Sequence, residues 1–162
     1  MSKTVKRVIS FALLILWMAF VFLMSAENGQ ESSETSNGVV YYIAKFTVAD
    51  FENLSTDEQQ AIMSSMSGFI RTMGHFCEFA VLGFLSLNAL LTFKFKAWQK
   101  AGLAFGFCVI YAISDEIHQY FVPDRVCDIA DVAVDTLGAL TGIAFLSALV
   151  AVAAKFKSRK EK

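Results

Sequence analysis

VISFALLILWMAFVFLMSA, residues Val8–Ala26, runs for 19 residues between Arg7 and Glu27 without a charge. About 20 mostly apolar residues in a helix cross the roughly 30 Å hydrocarbon core of a bilayer, so this stretch predicts a membrane-spanning helix. Its counterpart near the other end of the chain is Thr136–Ala154, again 19 uncharged residues, closed by Lys155. Two further stretches, residues 72–93 and 101–122, are long enough but less clean. The first carries His75 and Glu78 near its start, and the second carries Asp115, Glu116 and His118 near its end. The expectation is one all-α, polytopic domain over residues 1–162 with four transmembrane helices at about 8–26, 72–93, 101–122 and 136–154.

Composition supports that class. Of the 162 residues 56% are hydrophobic and 18% charged, below the roughly 25% charge of soluble domains, and mean hydropathy is +0.52. Sixteen Phe and a single Pro exclude a disordered or collagen-like chain. A net charge of −1 argues against a nucleic-acid partner held by a basic face. Cys77, Cys108 and Cys127 form no C-x-x-C pair, which excludes a disulfide scaffold or a zinc knuckle. Cys108 reads as a small core residue, while Cys77 and Cys127 lie near one membrane face and can pair under oxidising conditions.

Basic residues set the orientation. Lys3, Lys6 and Arg7 precede the first span; Lys94, Lys96 and Lys100 join the second to the third; five more follow the fourth. That is 11 of the 14 Lys and Arg on one side, which should be cytoplasmic, with 14 of the 15 acids opposite. Both termini are therefore expected in the cytoplasm of a plasma-membrane protein. A cleavable signal peptide competes for residues 3–26, but Met24 and Ala26 fit the cleavage positions poorly and the apolar run is long.

Residues 27–70 form an extracytoplasmic insertion between the first two spans. Glu27–Gly38 is rich in Ser, Glu, Asn and Gly and reads as an irregular loop. Val39–Phe51 reads as an amphipathic interfacial helix. Ser55-Thr56-Asp57-Glu58 is a capping box, and no Pro follows until Pro123, so one helix is expected from Thr56 to Phe93. Gly102-x-x-x-Gly106 and Gly138-x-x-x-Gly142 provide small-residue packing faces. They sit at opposite ends of antiparallel spans, so each must meet some other helix, or a second copy in a homo-oligomer.

The ionisable residues carry the functional signal. Arg71, His75 and Glu78 share a helix face at i, i+4, i+7; Asp115, His118 and Gln119 do so at i, i+3, i+4, beside Glu116; Asp128, Asp131 and Asp135 repeat i, i+3, i+7. Charges within a bilayer need protein or water around them. The inexpensive arrangement gathers the three stripes and pairs Arg71 and Arg125 with some of the acids, leaving an acidic excess for a proton, a cation or a cationic ligand. Each element also has a plain structural account: interfacial ion pairs, a solvated Asp face at a helix N-terminus, or a hydrogen-bonded core His75. No Ser-His-Asp set, P-loop, dinucleotide fingerprint or H-E-x-x-H is present, so no cofactor or metal is assigned.

Three motifs together resemble the VanZ-like membrane family. They are Arg71-x-x-x-His75-x-x-Glu78-Phe79-Ala80-x-x-Gly83, Ser114-Asp115-Glu116-Ile117-His118-Gln119-x-Phe121-Val122-Pro123-x-Arg125, and Asp128-x-x-Asp131-x-x-x-Asp135-x-x-Gly138-x-x-x-Gly142. Ser25 fits that family's Ser-containing turn after the first span. The sequence departs from the pattern at Glu27, where a Gln-like residue is expected, and by the long insertion from about Gly38 to Ser67. The resemblance implies a small polytopic protein of the cell envelope, related to an accessory protein of antibiotic resistance that lowers susceptibility to teicoplanin, a lipid-tailed glycopeptide. Residues and resemblance together lead to a non-enzymatic protein in the lipid bilayer that binds a lipid-linked envelope precursor or a lipoglycopeptide. The binding set is Arg71, His75, Glu78, Asp115, Glu116, His118, Gln119, Arg125, Asp128, Asp131 and Asp135. The competing class is a hydrolase or transferase acting on lipid-linked phosphates, using a metal on His75 and His118, or His118 and Glu116 as acid and base.

Overall fold

The computed structural model describes residues 2–125 and 128–160. Five α-helices follow one another: α1 (Lys3–Ser25), α2 (Gly29–Thr47), α3 (Thr56–Leu90), α4 (Ala97–Tyr120) and α5 (Ile129–Lys160), with a 3-10 turn at Phe51–Asn53 before α3. No strand occurs among the described residues. α1, α3, α4 and α5 are long and apolar enough to cross a membrane, as the sequence predicts.

Residue pairs fix the helix directions. Trp17 meets Glu78 and Ser10 meets Asn88, so α1 and α3 are antiparallel. Met18 meets Tyr111 and Ser25 meets Asp115, so α4 runs with α1. His75 faces Asp135 and Phe84 faces Phe145, so α5 runs with α3. The four helices long enough to cross a membrane therefore alternate in direction along the chain.

The α3–α5 seam is the closest approach in the bundle. A Cβ on Gly142 would run into the Ala80 carbonyl, one on Gly138 into the Phe76 carbonyl, and one on Gly83 into the Ala139 carbonyl. Glycines here let two parallel backbones touch. Around the seam Phe79, Leu82, Cys108, Ala112 and Ala139 form the buried core with Leu14 and Val21 of α1. Val8, Ile15, Leu16 and Leu23 of α1 face outward, which a lipid solvent accepts without cost.

Three sequence expectations need correction. Residues 29–38 are not a loop but the first half of α2. Asn28 Oδ1 accepts from the Gln30 N–H at 3.0 Å, Gln30 bonds Glu34 one turn on, and Val40 and Ala44 are fully buried as α2 packs on α3. Local bonds and packing override the weak helix propensity of Ser, Asn and Gly. The expected interfacial helix at 39–51 is the second half of the same helix, ended by a turn in which Asp50 is left-handed at φ 55°. α3 has the expected capping box at Ser55 and Glu58 but stops at Leu90 rather than Phe93; α5, from Ile129, contains the span expected at 136–154. Val126 and Cys127 lie outside the described residues, and with them the Cys77–Cys127 pairing.

Candidate functional site

At the end of the bundle remote from Arg7 and Lys94, polar side chains tie four helices together. Ser25, at the last turn of α1, donates to Asp115 Oδ2 at 2.8 Å; Gln119 Nε2 donates to the same oxygen at 3.1 Å and reaches Ser25 Oγ at 3.4 Å. All three side chains are buried. Glu116, one residue along α4, accepts from the Asp128 N–H, and Asp128 Oδ1 in turn accepts from the Ala130 N–H. Two successive carboxylates thus start α5, at the positive end of its dipole; this is why α5 begins early.

The glycine seam decides which acid meets which base. Because Gly138 sits on Phe76, Asp135, one turn earlier on α5, is carried beside His75 on α3. His75 Nδ1 and Asp135 Oδ1 are 3.5 Å apart, and neither atom has a hydrogen-bond partner among the described residues. An approach of roughly 0.5 Å would make a full hydrogen bond. The His118 ring stacks on Phe22 at 4.5 Å between centroids, and its Nε2 is buried without a partner among the described residues.

The arginines do not pair with these acids, contrary to the sequence expectation. Arg125 Nε and Nη2 donate to the Glu27 and Met24 carbonyls at 3.1 and 3.4 Å, capping the C-terminus of α1. Burial, and then the like charge of Arg71, push the Arg125 guanidinium below the usual arginine range. Arg71 makes no hydrogen bond or ion pair among the described residues. The one ionisable pair within the predicted set is His75–Asp135. The physical reason is reach: the exposed carbonyls at the end of α1 lie nearer to Arg125 than any of the six acids.

Between α1, α2, α3 and the α4–α5 connection lies a cavity of about 460 Å³. Its apolar wall comes from Met24, Val39, Ile43, Met66, Phe69 and Met73; its polar side comes from Arg71, His75, Glu78, Gln119 and Arg125. A smaller chamber of about 200 Å³ adjoins it, sharing Ser32, Arg71, Gln119 and Arg125 and adding Asp124 and Asp131. The α3 stripe Arg71–His75–Glu78 therefore does line one cavity together. Asp115, Glu116, His118, Asp128 and Asp135 line neither chamber: Asp115 and Asp135 hold lining residues from behind, Glu116 and Asp128 cap α5, and His118 packs on α1. Among the described residues no three His, Cys, Asp or Glu side chains are placed to hold a metal ion, and one carboxylate oxygen of Glu116 is taken by the Asp128 N–H.

Several site residues lie outside the predicted set. Trp17 Nε1 donates to the Glu78 carbonyl at 2.9 Å, and Tyr111 Oη donates to the Met18 carbonyl at 2.7 Å. A Trp in the middle of an aliphatic span is the available signal, since a buried indole N–H needs an acceptor. Asp124 follows Pro123 and is left-handed at φ 58°; Gly29, whose N–H donates to the Pro123 carbonyl, abuts it so closely that a Cβ would overlap the Asp124 backbone. Pro-Asp is a turn signal, although nothing in it names the partner helix. A family model described as VanZ/LLP1 matches residues 10–151. No curated protein and no solved structure matches the chain.

Proposed function

Since the chain belongs to the VanZ/LLP1 family, we propose that it is a single-domain binding protein of the plasma membrane that receives an amphiphilic envelope molecule in the larger cavity. One observation carries the reading: an apolar wall and two guanidiniums line the same 460 Å³ space, which suits a molecule with a hydrocarbon tail and an anionic head. Depth agrees. Counting about 20 residues, or roughly 30 Å of helix, back along α3 from Leu90 reaches Ile70, so the cavity lies at headgroup level, and the positive-inside rule puts that level on the extracytoplasmic side. The ligand class is a lipid-linked precursor or a lipoglycopeptide of the teicoplanin kind. Arg71 and Arg125 hold its phosphate or carboxylate; His75, Glu78 and Gln119 contact the rest of the head. Asp115, Glu116, His118, Asp128, Asp131 and Asp135 complete the proposed set as supports and neighbours of these contacts.

Native mass spectrometry of protein extracted gently with its lipids tests this. Wild-type protein is expected to carry a phospholipid-like or polyprenyl adduct, and Arg71→Ala to lose it by about tenfold or more, the worth of one charge-assisted contact. Arg71 is the residue to change, because Arg125 also holds α1. Adduct retention unchanged by Arg71→Ala would refute the reading.

A further inference from the structure

The smaller chamber is not used by a simple tail-and-anion site, and its chemistry is different. Its acceptors are the Asp124 and Asp131 carboxylates, neither of which makes a side-chain hydrogen bond or an ion pair among the described residues. Gln119, only 2% exposed, spends its Nε2 on Asp115 and Ser25 and lines both chambers; its Oε1 accepts no hydrogen bond among the described residues. Arg71 and Arg125 stand on the boundary, lining both spaces. Arg125 leaves Nη1 unused, and Arg71 leaves its whole guanidinium unused among the described residues. Beyond the arginines, therefore, come unsatisfied acceptors; before them comes the apolar wall, whose outer members Val39 and Phe69 are exposed between α2 and α3.

That order along the site is the order of groups in a phosphodiester lipid: chain, phosphate, then an outer group. Resting on the amphiphile-binding reading above, we propose that the smaller chamber receives the outer group of a phosphodiester lipid, that this group is a hydrogen-bond donor (an amine or hydroxyls), and that the phosphate lies between Arg71 and Arg125. The tail occupies the larger cavity and leaves between α2 and α3. Two guanidiniums on the boundary supply cations for the phosphate, and two carboxylates beyond them supply acceptors for a donor on the outer group. A chamber of about 200 Å³ also limits the outer group to a compact one.

Nanodiscs built from equal parts phosphatidylethanolamine, phosphatidylglycerol and phosphatidylcholine with identical acyl chains, followed by native mass spectrometry of the full chain, provide the test. Retention of the amine lipid, the hydroxyl lipid or both should exceed that of phosphatidylcholine by about tenfold, since choline donates no hydrogen bond and a bond to a charged acceptor is worth about that factor or more. Whichever is retained names the donor. In Asp124→Asn/Asp131→Asn the preference should fall to about threefold or less with phosphatidylcholine retention unchanged; asparagine tolerates the left-handed backbone at 124. Equal retention of all three lipids by the wild type overturns this inference and leaves the amphiphile-binding reading intact. Retention of none overturns this inference as well, while the amphiphile-binding reading is decided by the adduct that the protein carries when extracted with its native lipids. A preference that survives the double substitution overturns the assignment to this chamber. Should the double variant not fold, the wild-type comparison still decides.

Discussion

α5 is attached to α3, and α1 to α3 and α4, in opposite ways. Along α5, Gly138 and Gly142, with Gly83 facing them, remove side chains so that backbone meets backbone. Along α1 the contact is made by polar rungs: Asn88 to Ser10, Trp17 to the Glu78 carbonyl, Tyr111 of α4 to the Met18 carbonyl, and Ser25 to Asp115. In lipid, apolar side chains gain nothing by leaving one another's company for acyl chains, so helices associate through close packing or hydrogen bonds. The seam concentrates its energy in a few atoms that tolerate nothing; the rungs spread theirs over bonds that can be lost one at a time.

The most damaging single change should be at the seam. Gly142→Val puts a branched side chain into the Ala80 carbonyl, and a cost of about 3–5 kcal/mol is expected from overpacking combined with backbone displacement; monodisperse protein after detergent extraction should be lost. Near-normal yield and elution would mean that the seam can open and is no less tolerant than the polar rungs. Next comes Asp115→Ala, which strands the buried Ser25 hydroxyl and Gln119 amide at about 1–3 kcal/mol, measured as a lowered midpoint of thermal unfolding. Trp17→Phe and Tyr111→Phe should each cost about 0.6–1.7 kcal/mol, the range for hydrogen bonds between helices in lipid. Their sum in the double variant would establish independent rungs; a markedly larger double effect would show that α1 detaches cooperatively. The smallest effect belongs to Gly102→Ala and Gly106→Ala. A Cβ at either position meets nothing within 4 Å, so stability should change by no more than about 0.5 kcal/mol. A drop in chemically cross-linked dimer at unchanged stability would assign that face to a second copy.

These four glycines also mark how far sequence carries. Both GxxxG pairs are plain in the chain, but only one is used within it, because use depends on which helix lies opposite. Two spans were legible from uncharged runs of 19 residues, the other two from apolar stretches with charges confined to one end, and the start of α3 from its capping box. α2 was hidden: its Ser- and Asn-rich half is helical through an Asx bond at Asn28 and burial of Val40 and Ala44, neither of which periodicity displays. Within the candidate site, spacing on one helix gave the Arg71–His75–Glu78 face, whereas partners across helices stayed out of reach. His75 pairs with Asp135 only because Gly138 fixes the register of α5 on α3. Arg125 prefers the carbonyls of α1, which have no identity in a sequence because every residue has one.

Arginine holds α1 at both ends. Arg125 binds the Met24 and Glu27 carbonyls at one end; at the other, Arg7 Nη2 donates to the Thr92 carbonyl at 3.2 Å while its guanidinium lies 4.2 Å over the Phe93 ring. One latch grips the loop before α5 and the other the loop after α3, so a shift of α1 along its own axis in either direction breaks a guanidinium contact. A piston shift of α1 is therefore opposed by about 1.5–3 kcal/mol, the worth of a hydrogen bond from a charged group. When the bilayer thins or thickens, tilting of the whole bundle leaves both latches in place and changes the height of the cavity beside Met24 above the membrane midplane.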